Sequence, residues 1–187
     1  MNFFEWIQSV DLSAVRFVRE FVSCSFLDFI MPIVTLIGEG GILWIVITLM
    51  LLAFRKTRKT GFVMALALIF GLLVGNLTLK PLVARPRPYS IDADAYLLID
   101  KLSDFSFPSG HTLACFEGAV SLLLCNHKKT GTLAIIAAFV VAFSRVYLYV
   151  HYPSDVIVGA ILGTIFAFVS FFVVKKAYEK VQKSKCL

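Results

Sequence analysis

The stretch Ser144–Asp155 reads SRVYLYVHYPSD and places an arginine, a histidine and an aspartate within and just beyond an apolar run. A charged side chain inside or at the edge of a membrane span is energetically costly, so it usually has a function and a partner. His151 and Asp155 stand four residues apart across a Tyr-Pro-Ser break. This spacing suits a carboxylate that orients an imidazole where two helices meet. We interpret the stretch as one half of a charged site, whose other half has to come from elsewhere in the chain.

The composition is that of an integral membrane protein. Hydrophobic residues make up 59% of the 187 residues and charged residues 16%, whereas a soluble domain carries about 25% charged residues. We therefore predict one membrane-embedded domain over residues 1–187. The net charge of +6 does not indicate nucleic acid, because the basic residues form short clusters between apolar runs. Four cysteines without CxxC or zinc spacing predict neither disulfides nor a metal site; they are Cys24, Cys115, Cys125 and Cys186.

Apolar runs predict an all-α, polytopic transmembrane bundle. Each of the stronger runs approaches the roughly 20 residues that a helix needs to cross a bilayer. Residues 1–37 predict an interfacial or first helix, residues 38–177 the core spans and residues 178–187 a cytoplasmic tail. No basic segment with a cleavage site precedes Asp11, so no removable signal peptide is expected. The five clear spans are predicted at 42–54, 61–79, 109–126, 132–150 and 155–174.

Basic clusters orient these spans. The loops 55–59 and 127–129 and the C-terminal tail are rich in Lys and Arg, so the positive-inside rule places them in the cytoplasm. The loop 81–107 and the turn 151–154 then lie together on the extracytoplasmic side. This topology brings the remaining unusual residues to one membrane face; they are Lys80, Arg85, Arg87, His111, Arg145, His151 and Asp155.

The residues on this face suit phosphate chemistry. Lys80, Arg87 and Arg145 would offset the charge of an oxyanion, and the helix start at Ser109-Gly110 offers free N–H groups to an anion. Two histidines allow a nucleophile and a separate proton donor. The chain has no HExxH motif and no carboxylate cluster for two metals. The predicted chemistry is displacement at phosphorus with no cofactor and no metal.

Three segments together match a known pattern. Lys80–Pro88 fits K-x6-R-P, Pro108–His111 is P-S-G-H, and Ser144–Asp155 fits S-R-x5-H-x3-D. In this order they resemble the signature of the type 2 phosphatidic acid phosphatase superfamily, the integral-membrane lipid phosphate phosphatases. The resemblance implies a metal-independent helical bundle that hydrolyses a lipid phosphate. It further implies the following roles: His151 as the nucleophile that forms a phosphohistidine, Asp155 as its orienting group, His111 as general acid, and Lys80, Arg87, Ser109, Gly110 and Arg145 as phosphate ligands.

Several alternatives remain at this level. Undecaprenyl diphosphate is the favoured substrate, with phosphatidylglycerophosphate, phosphatidate and the phosphate of lipid A as alternatives, because a fold does not name a substrate. A transporter or a non-catalytic lipid-binding protein is a rival of another class. Plainer roles are expected for polar residues outside the motifs: packing or headgroup attraction for Arg85, structural hydrogen bonds for Glu117 and Asn76, a solvated loop for Asp92, Asp94, Asp100 and Asp104, and an aromatic belt at the membrane interface for Tyr147, Tyr149 and Tyr152.

Overall fold

A computed structural model of the chain describes residues 3–92 and 95–184, and every regular element in these ranges is helical. The all-α prediction is thereby confirmed; Cys186 and Asp94 lie outside the described residues. The α-helices are α1 (Phe3–Phe17), α2 (Ser25–Ile37), α3 (Ile42–Ala53), α4 (Arg58–Phe70), α5 (Lys80–Val83), α6 (Pro88–Ile91), α7 (Gly110–Leu124), α8 (Lys128–Tyr147) and α9 (Pro153–Ser184). Two π-helical segments (Val18–Val22 and Gly71–Leu79) and a 3-10 turn (Glu39–Gly41) connect some of them.

Three helical stretches in the described ranges are long and apolar enough to cross a membrane: Arg58–Ile91, which runs from α4 to α6, Lys128–Tyr147 and Pro153–Lys183. They correspond to the predicted spans at 61–79, 132–150 and 155–174. The helices at Ser25–Leu36, Ile42–Ala53 and Gly110–Leu124 are apolar but shorter. The segment 81–107, expected to be a loop, contains the short helices α5 and α6. The chain is thus a multi-helix membrane protein.

Helix α7 is the central helix of the bundle. Every residue from Thr112 to Leu122 except Ala114 is buried, and α7 packs against α4, α8 and α9. Its approach to α9 is so close that a β-carbon on Gly163 would lie 2.5 Å from the carbonyl oxygen of Leu113. Only glycine allows this backbone contact. Because α7 begins at Gly110, its close packing on α9 fixes the position of His111 along the bundle axis.

The outer surface of the bundle is apolar. Large side chains stand out from several helices, among them Leu49 (61% exposed), Leu77 (61%), Phe139 (60%) and Ile157 (58%). Apolar patches of this extent are unusual on a soluble monomer, whereas they are expected against lipid tails.

The N-terminal helix α1 packs on the segment Ser144–Asp155, which joins α8 to α9. Val15 is fully buried in a cluster with Tyr147, Tyr149 and Tyr152. The expected aromatic belt was therefore wrong for these tyrosines, which are 1%, 5% and 0% exposed. The hydroxyl groups of Tyr147 and Tyr149 bind Asp28 and Asp92, and the Tyr152 ring stacks on Arg85. These tyrosines therefore pack inside the protein and do not anchor it in the membrane interface.

Candidate active site

The loop between α8 and α9 presents His151. The carbonyl oxygen of Arg145 accepts hydrogen bonds from the backbone N–H groups of both Val150 and His151, each at 3.2 Å, which turns the chain sharply after α8. Tyr149 in this loop has φ 64°, a conformation that bulky residues rarely adopt and that clusters at functional sites. Its hydroxyl donates to Asp92 at 2.5 Å. The strained turn is therefore held from outside as well as by its own backbone.

The His151 imidazole is buried and oriented from two sides. Its Nδ1 lies 3.6 Å from Oδ2 of Asp155, and its Nε2 lies 3.3 Å from Nη1 of Arg87. Asp155 is itself fixed, because the same Oδ2 accepts from the Ser106 hydroxyl at 2.5 Å and from the Tyr152 N–H at 3.0 Å. Burial lowers the pKa of His151 to about 3, against the raising effect of Asp155. The ring is thus neutral at physiological pH, the form that a nucleophile needs.

Two of the expected cations share one carboxylate. Arg87 is 3% exposed, donates to the Val150 carbonyl at 2.7 Å and binds Oδ1 of Asp104 at 2.5 Å, while the Lys80 ammonium pairs with Oδ2 of Asp104. Burial raises the pKa of Asp104, but the two cations outweigh it and hold the pKa at about 2. The expectation of a merely solvated loop was wrong for Asp104. An oxyanion that binds Lys80 and Arg87 has to compete with this side chain.

The guanidinium group of Arg145 is only partly hydrogen-bonded. It is 1% exposed and its Nη1 donates to the hydroxyl of Thr35 on α2, whereas its Nε and Nη2 have no hydrogen-bond partner among the described residues. Buried donors without a partner are costly. A guanidinium with two such donors at the edge of a cavity is suited to bidentate binding of an anion.

At the start of α7, the Ser109 N–H group does not have the role that the sequence predicted, which was to bind an anion. Ser109 is the N-cap residue, but its side chain makes no capping hydrogen bond. Its N–H donates to the carbonyl oxygen of Asp155 at 3.1 Å, so this group joins α7 to α9 instead of facing an anion. Gly110 lies tightly against Asn76, since a β-carbon would stand 3.0 Å from the amide oxygen. His111 follows, half-buried.

A single cavity of about 630 Å³ unites these groups. Its polar end is lined by Lys80, Arg87, Gly110, His111, Arg145 and His151, together with Asp104 and Asn76. Asp155 stands behind His151, and Ser109 is fully buried. The motif residues therefore meet at one end of the bundle, as expected, with Ser109 and Asp155 in supporting positions.

The cavity continues as an apolar groove between α3 and α4. Its walls are formed by Ile45, Leu49, Leu52, Leu68, Ile69 and Leu72. Several of these side chains are about half exposed, for example Ile45 (49%) and Ile69 (50%), so the groove is open between the two helices at the level of these residues. Glu117 lies in its wall, 1% exposed, against the backbone of Gly71. A β-carbon on Gly71 would lie 2.2 Å from Glu117 Oε1, so the carboxyl group packs closely against this backbone, and its Oε1 has no hydrogen-bond partner among the described residues.

Some residues of the site gave no sequence signal. Ser106 and Thr35 carry no motif, and their partners are 49 and 110 residues away in the chain. Arg85 was expected to attract headgroups or to pack, but it faces inward and binds Asp155 at 2.6 Å. Only its position between two motif residues could have marked it.

The comparisons with known proteins agree with this geometry. The family model of the PAP2 superfamily matches residues 56–179, and the chain belongs to this family of phosphatases. An undecaprenyl-diphosphatase of Sulfolobus acidocaldarius is 42% identical over 127 residues, which cover 68% of this chain and 61% of that protein.

Two solved structures are similar in fold. LpxE of Aquifex aeolicus has a TM-score of 0.76 at 28% identity and covers 86% of this chain and 94% of its own. A transmembrane PAP2-type phosphatidylglycerolphosphate phosphatase from Bacillus subtilis has a TM-score of 0.71 at 31% identity and covers 94% and 88%. Both likenesses extend over most of this chain.

Proposed function

We propose that this chain is a membrane lipid phosphatase that hydrolyses a lipid phosphomonoester or diphosphate through a phosphohistidine intermediate. The observation that carries the proposal is the shape of the cavity. One end holds two buried arginines, a lysine and two histidines, and the other end is an apolar groove that opens sideways. A molecule that fits both ends has a phosphate head and a hydrocarbon tail.

The proposed reaction has two displacements at phosphorus. In the first, Nε2 of His151 attacks phosphorus, the bond to the leaving oxygen breaks, and His111 gives that oxygen a proton. In the second, His111 takes a proton from water, whose oxygen displaces His151 and releases phosphate. Lys80, Arg87 and Arg145 offset the charge that builds up on the phosphoryl oxygens. Asp155 holds the ring with Nδ1 toward itself and stabilises the positive charge that the imidazole acquires.

Undecaprenyl diphosphate is the substrate that we favour. The support is the likeness to the Sulfolobus undecaprenyl-diphosphatase, together with the apolar groove, which would take a hydrocarbon tail. Phosphatidylglycerophosphate is the main alternative, because the Bacillus structure with a similar fold is a phosphatidylglycerolphosphate phosphatase. Phosphatidate and the lipid A phosphate remain candidates for the same assay.

We further propose a topology in which the site faces the extracytoplasmic side. The basic loop 55–59 and the start of α8 at Lys128 lie at the opposite end of their helices from Lys80 and Arg145, and basic loops favour the cytoplasm. In this topology the shorter apolar helices α3 and α7 cross the bilayer together with the three long helical stretches, which gives the five predicted core spans in one domain. Helices α1 and α2 stay on the extracytoplasmic side, because Asp11 of α1 binds Ser154 and both ends of α2 contact the site end of the bundle, with Cys24 at Tyr147 and Gly38 at His111.

Phosphate release by the purified protein from a panel of lipid phosphates tests the activity. We expect release in the presence of EDTA, and loss of release in His151→Ala. A matched control is His127→Ala, because His127 contacts Thr60 away from the cavity. No release from any lipid would refute the phosphatase proposal, and release by His151→Ala at the parent rate would refute the nucleophile. Acid-labile, base-stable labelling of the protein by a ³²P-labelled substrate, absent in His151→Ala, would identify the phosphohistidine.

Labelling of single cysteines in intact cells tests the topology. Lys101 is exposed in the loop beside the site, and Lys56 is exposed in the basic loop at the other end. In a chain whose own cysteines are replaced, an impermeant thiol reagent should label Lys101→Cys in intact cells and Lys56→Cys only after lysis. The reverse result would place the site in the cytoplasm.

A further inference from the structure

Arg85 binds more side chains than any of the motif cations Lys80, Arg87 and Arg145, although the sequence predicted no role for it in the site. Its Nη1 donates to Asp155 at 2.6 Å and to the Ser154 hydroxyl at 2.8 Å. Its Nη2 donates to Asp11 at 2.7 Å, and both Nε and Nη2 donate to the Gln8 side-chain oxygen. The guanidinium is also stacked 3.9 Å from the centre of the Tyr152 ring. Because every nitrogen of its guanidinium group donates a hydrogen bond, the Arg85 side chain is held in one orientation.

That position lies behind the proposed nucleophile. Asp155 is 0% exposed, and its two carboxylate oxygens have different partners. Oδ2 faces Ser106 and His151, whereas Oδ1 is bound by Arg85. A buried carboxylate that lost its bond to Arg85 would keep an uncompensated charge. It could then turn toward other donors, and the imidazole that depends on it would lose its orientation.

The other side of Arg85 reaches the N-terminal helix. Asp11 on α1 is 5% exposed; besides Arg85 it accepts from the N–H of Ser154 at 3.0 Å and from the hydroxyl of Ser154. Ser154 is the second residue of α9. A carboxylate at a helix start satisfies free N–H groups and interacts favourably with the helix dipole. Asp11 therefore caps α9 from another helix, one residue before Asp155.

We propose that Arg85 is a positioning residue of the phosphatase reaction, which binds Asp155 on one side and Asp11 on the other and so fixes the orientation of His151 from α1. The inference rests on the proposed function, since it assigns to Arg85 a part in the chemistry of the same site. Arg85 does not line the cavity and so acts through Asp155, not on the substrate. In this arrangement α1 is part of the catalytic apparatus, although its sequence carries no motif.

The kinetic signature separates positioning from substrate binding. In Arg85→Gln we expect kcat to fall by roughly 10²-fold, the size of effect that a misplacement of about 1 Å produces, with KM within about two-fold of the parent. Arg85→Lys keeps one charge and one bond to Asp155 and should recover at least ten-fold of the loss. The matched control is Arg19→Gln, because Arg19 pairs with Asp28 on the same side of the bundle and should keep the parent kcat.

A double-variant cycle with Asp155→Asn tests the route of the effect. If Arg85 acts through Asp155, Arg85→Gln should cost no more than about two-fold once Asp155 is already Asn, because the two residues then fail as a unit. A further loss of 10²-fold in that background, or an Arg85→Gln protein with the parent kcat, would overturn the proposal. Where Arg85→Gln does not fold, as judged by thermal unfolding, Asp11→Asn takes its place. It should lower kcat several-fold with unchanged KM, and an unchanged kcat would overturn the proposal.

The parent enzyme keeps the two proposals distinguishable. A parent protein that releases no phosphate from any lipid refutes the proposed function. An active parent whose kcat is indifferent to Arg85 refutes only the inference about Arg85.

Discussion

Replacement of Asp104 by Asn should tighten the binding of phosphate. The Asp104 carboxylate binds both Lys80 and Arg87, and a phosphoryl group that enters the site has to displace it. The side chain is 50% exposed, so each pair is screened by solvent and contributes about 0.2–1 kcal/mol. The two pairs together oppose phosphate binding by about 1 kcal/mol, which corresponds to about five-fold in affinity.

The assay is competitive inhibition by inorganic phosphate or orthovanadate. In Asp104→Asn the inhibition constant should fall about five-fold, with kcat within about two-fold of the parent. Because the pKa of Asp104 is about 2, its carboxylate is ionised throughout the practical range. The ratio of the two inhibition constants should therefore stay constant from pH 4 upward.

Asp100→Asn is the matched control, since Asp100 is exposed in the same loop and its loss should leave the inhibition constant unchanged. An inhibition constant that rises in Asp104→Asn, together with a lower kcat, would show that Asp104 supports the cations instead of competing for them. That result would refute the reasoning.

Other perturbations have expected outcomes as well. Gly163→Ala places a β-carbon 2.5 Å from the carbonyl of Leu113 and should destabilise the bundle by about 1–3 kcal/mol; its melting temperature in detergent should drop, whereas that of Ile165→Ala, changed on a half-exposed position, should not. The unfolded chain binds a proton at His151 near pH 6.5 and the folded chain only near 3, so stability should fall as the pH drops from 6.5 toward 3, and this fall should be smaller in His151→Gln. Arg145→Lys loses the forked donor geometry and should reduce kcat/KM by roughly 10²-fold, and a loss below three-fold would argue against bidentate binding.

The sequence was sufficient for the parts of the site that depend on helix ends. Lys80, His111 and Asp155 each stand where an apolar run starts or stops, and basic clusters at the opposite ends put them on one side. The helix boundaries were less accurate. The predicted span 132–150 became Lys128–Tyr147, because the loop that follows Tyr147 is shaped by hydrogen bonds to the Arg145 carbonyl and not by hydropathy.

The supporting contacts were beyond sequence reasoning. Asp104, Arg85 and Asp11 are charged residues near polar segments, for which a solvated position is the ordinary expectation. Their partners are 24, 70 and 143 residues away for the bonds to Lys80, Asp155 and Ser154, respectively. The packing of α1 over the start of α9 brings Asp11 to Ser154 and Arg85, and no local sequence pattern predicts that contact. The tyrosines were misjudged for the same reason, since the surface they would occupy is covered by α1.

The sideways opening of the apolar groove has a kinetic consequence for an enzyme of the proposed kind. A substrate that enters between α3 and α4 keeps its tail in the bilayer and reaches the site by lateral diffusion. The quantity that governs its rate is then the mole fraction of substrate in the membrane or micelle, not its concentration in the bulk solution. Added detergent would slow the reaction by surface dilution at constant total substrate, and Michaelis constants measured in different detergents would agree only when expressed per mole of amphiphile.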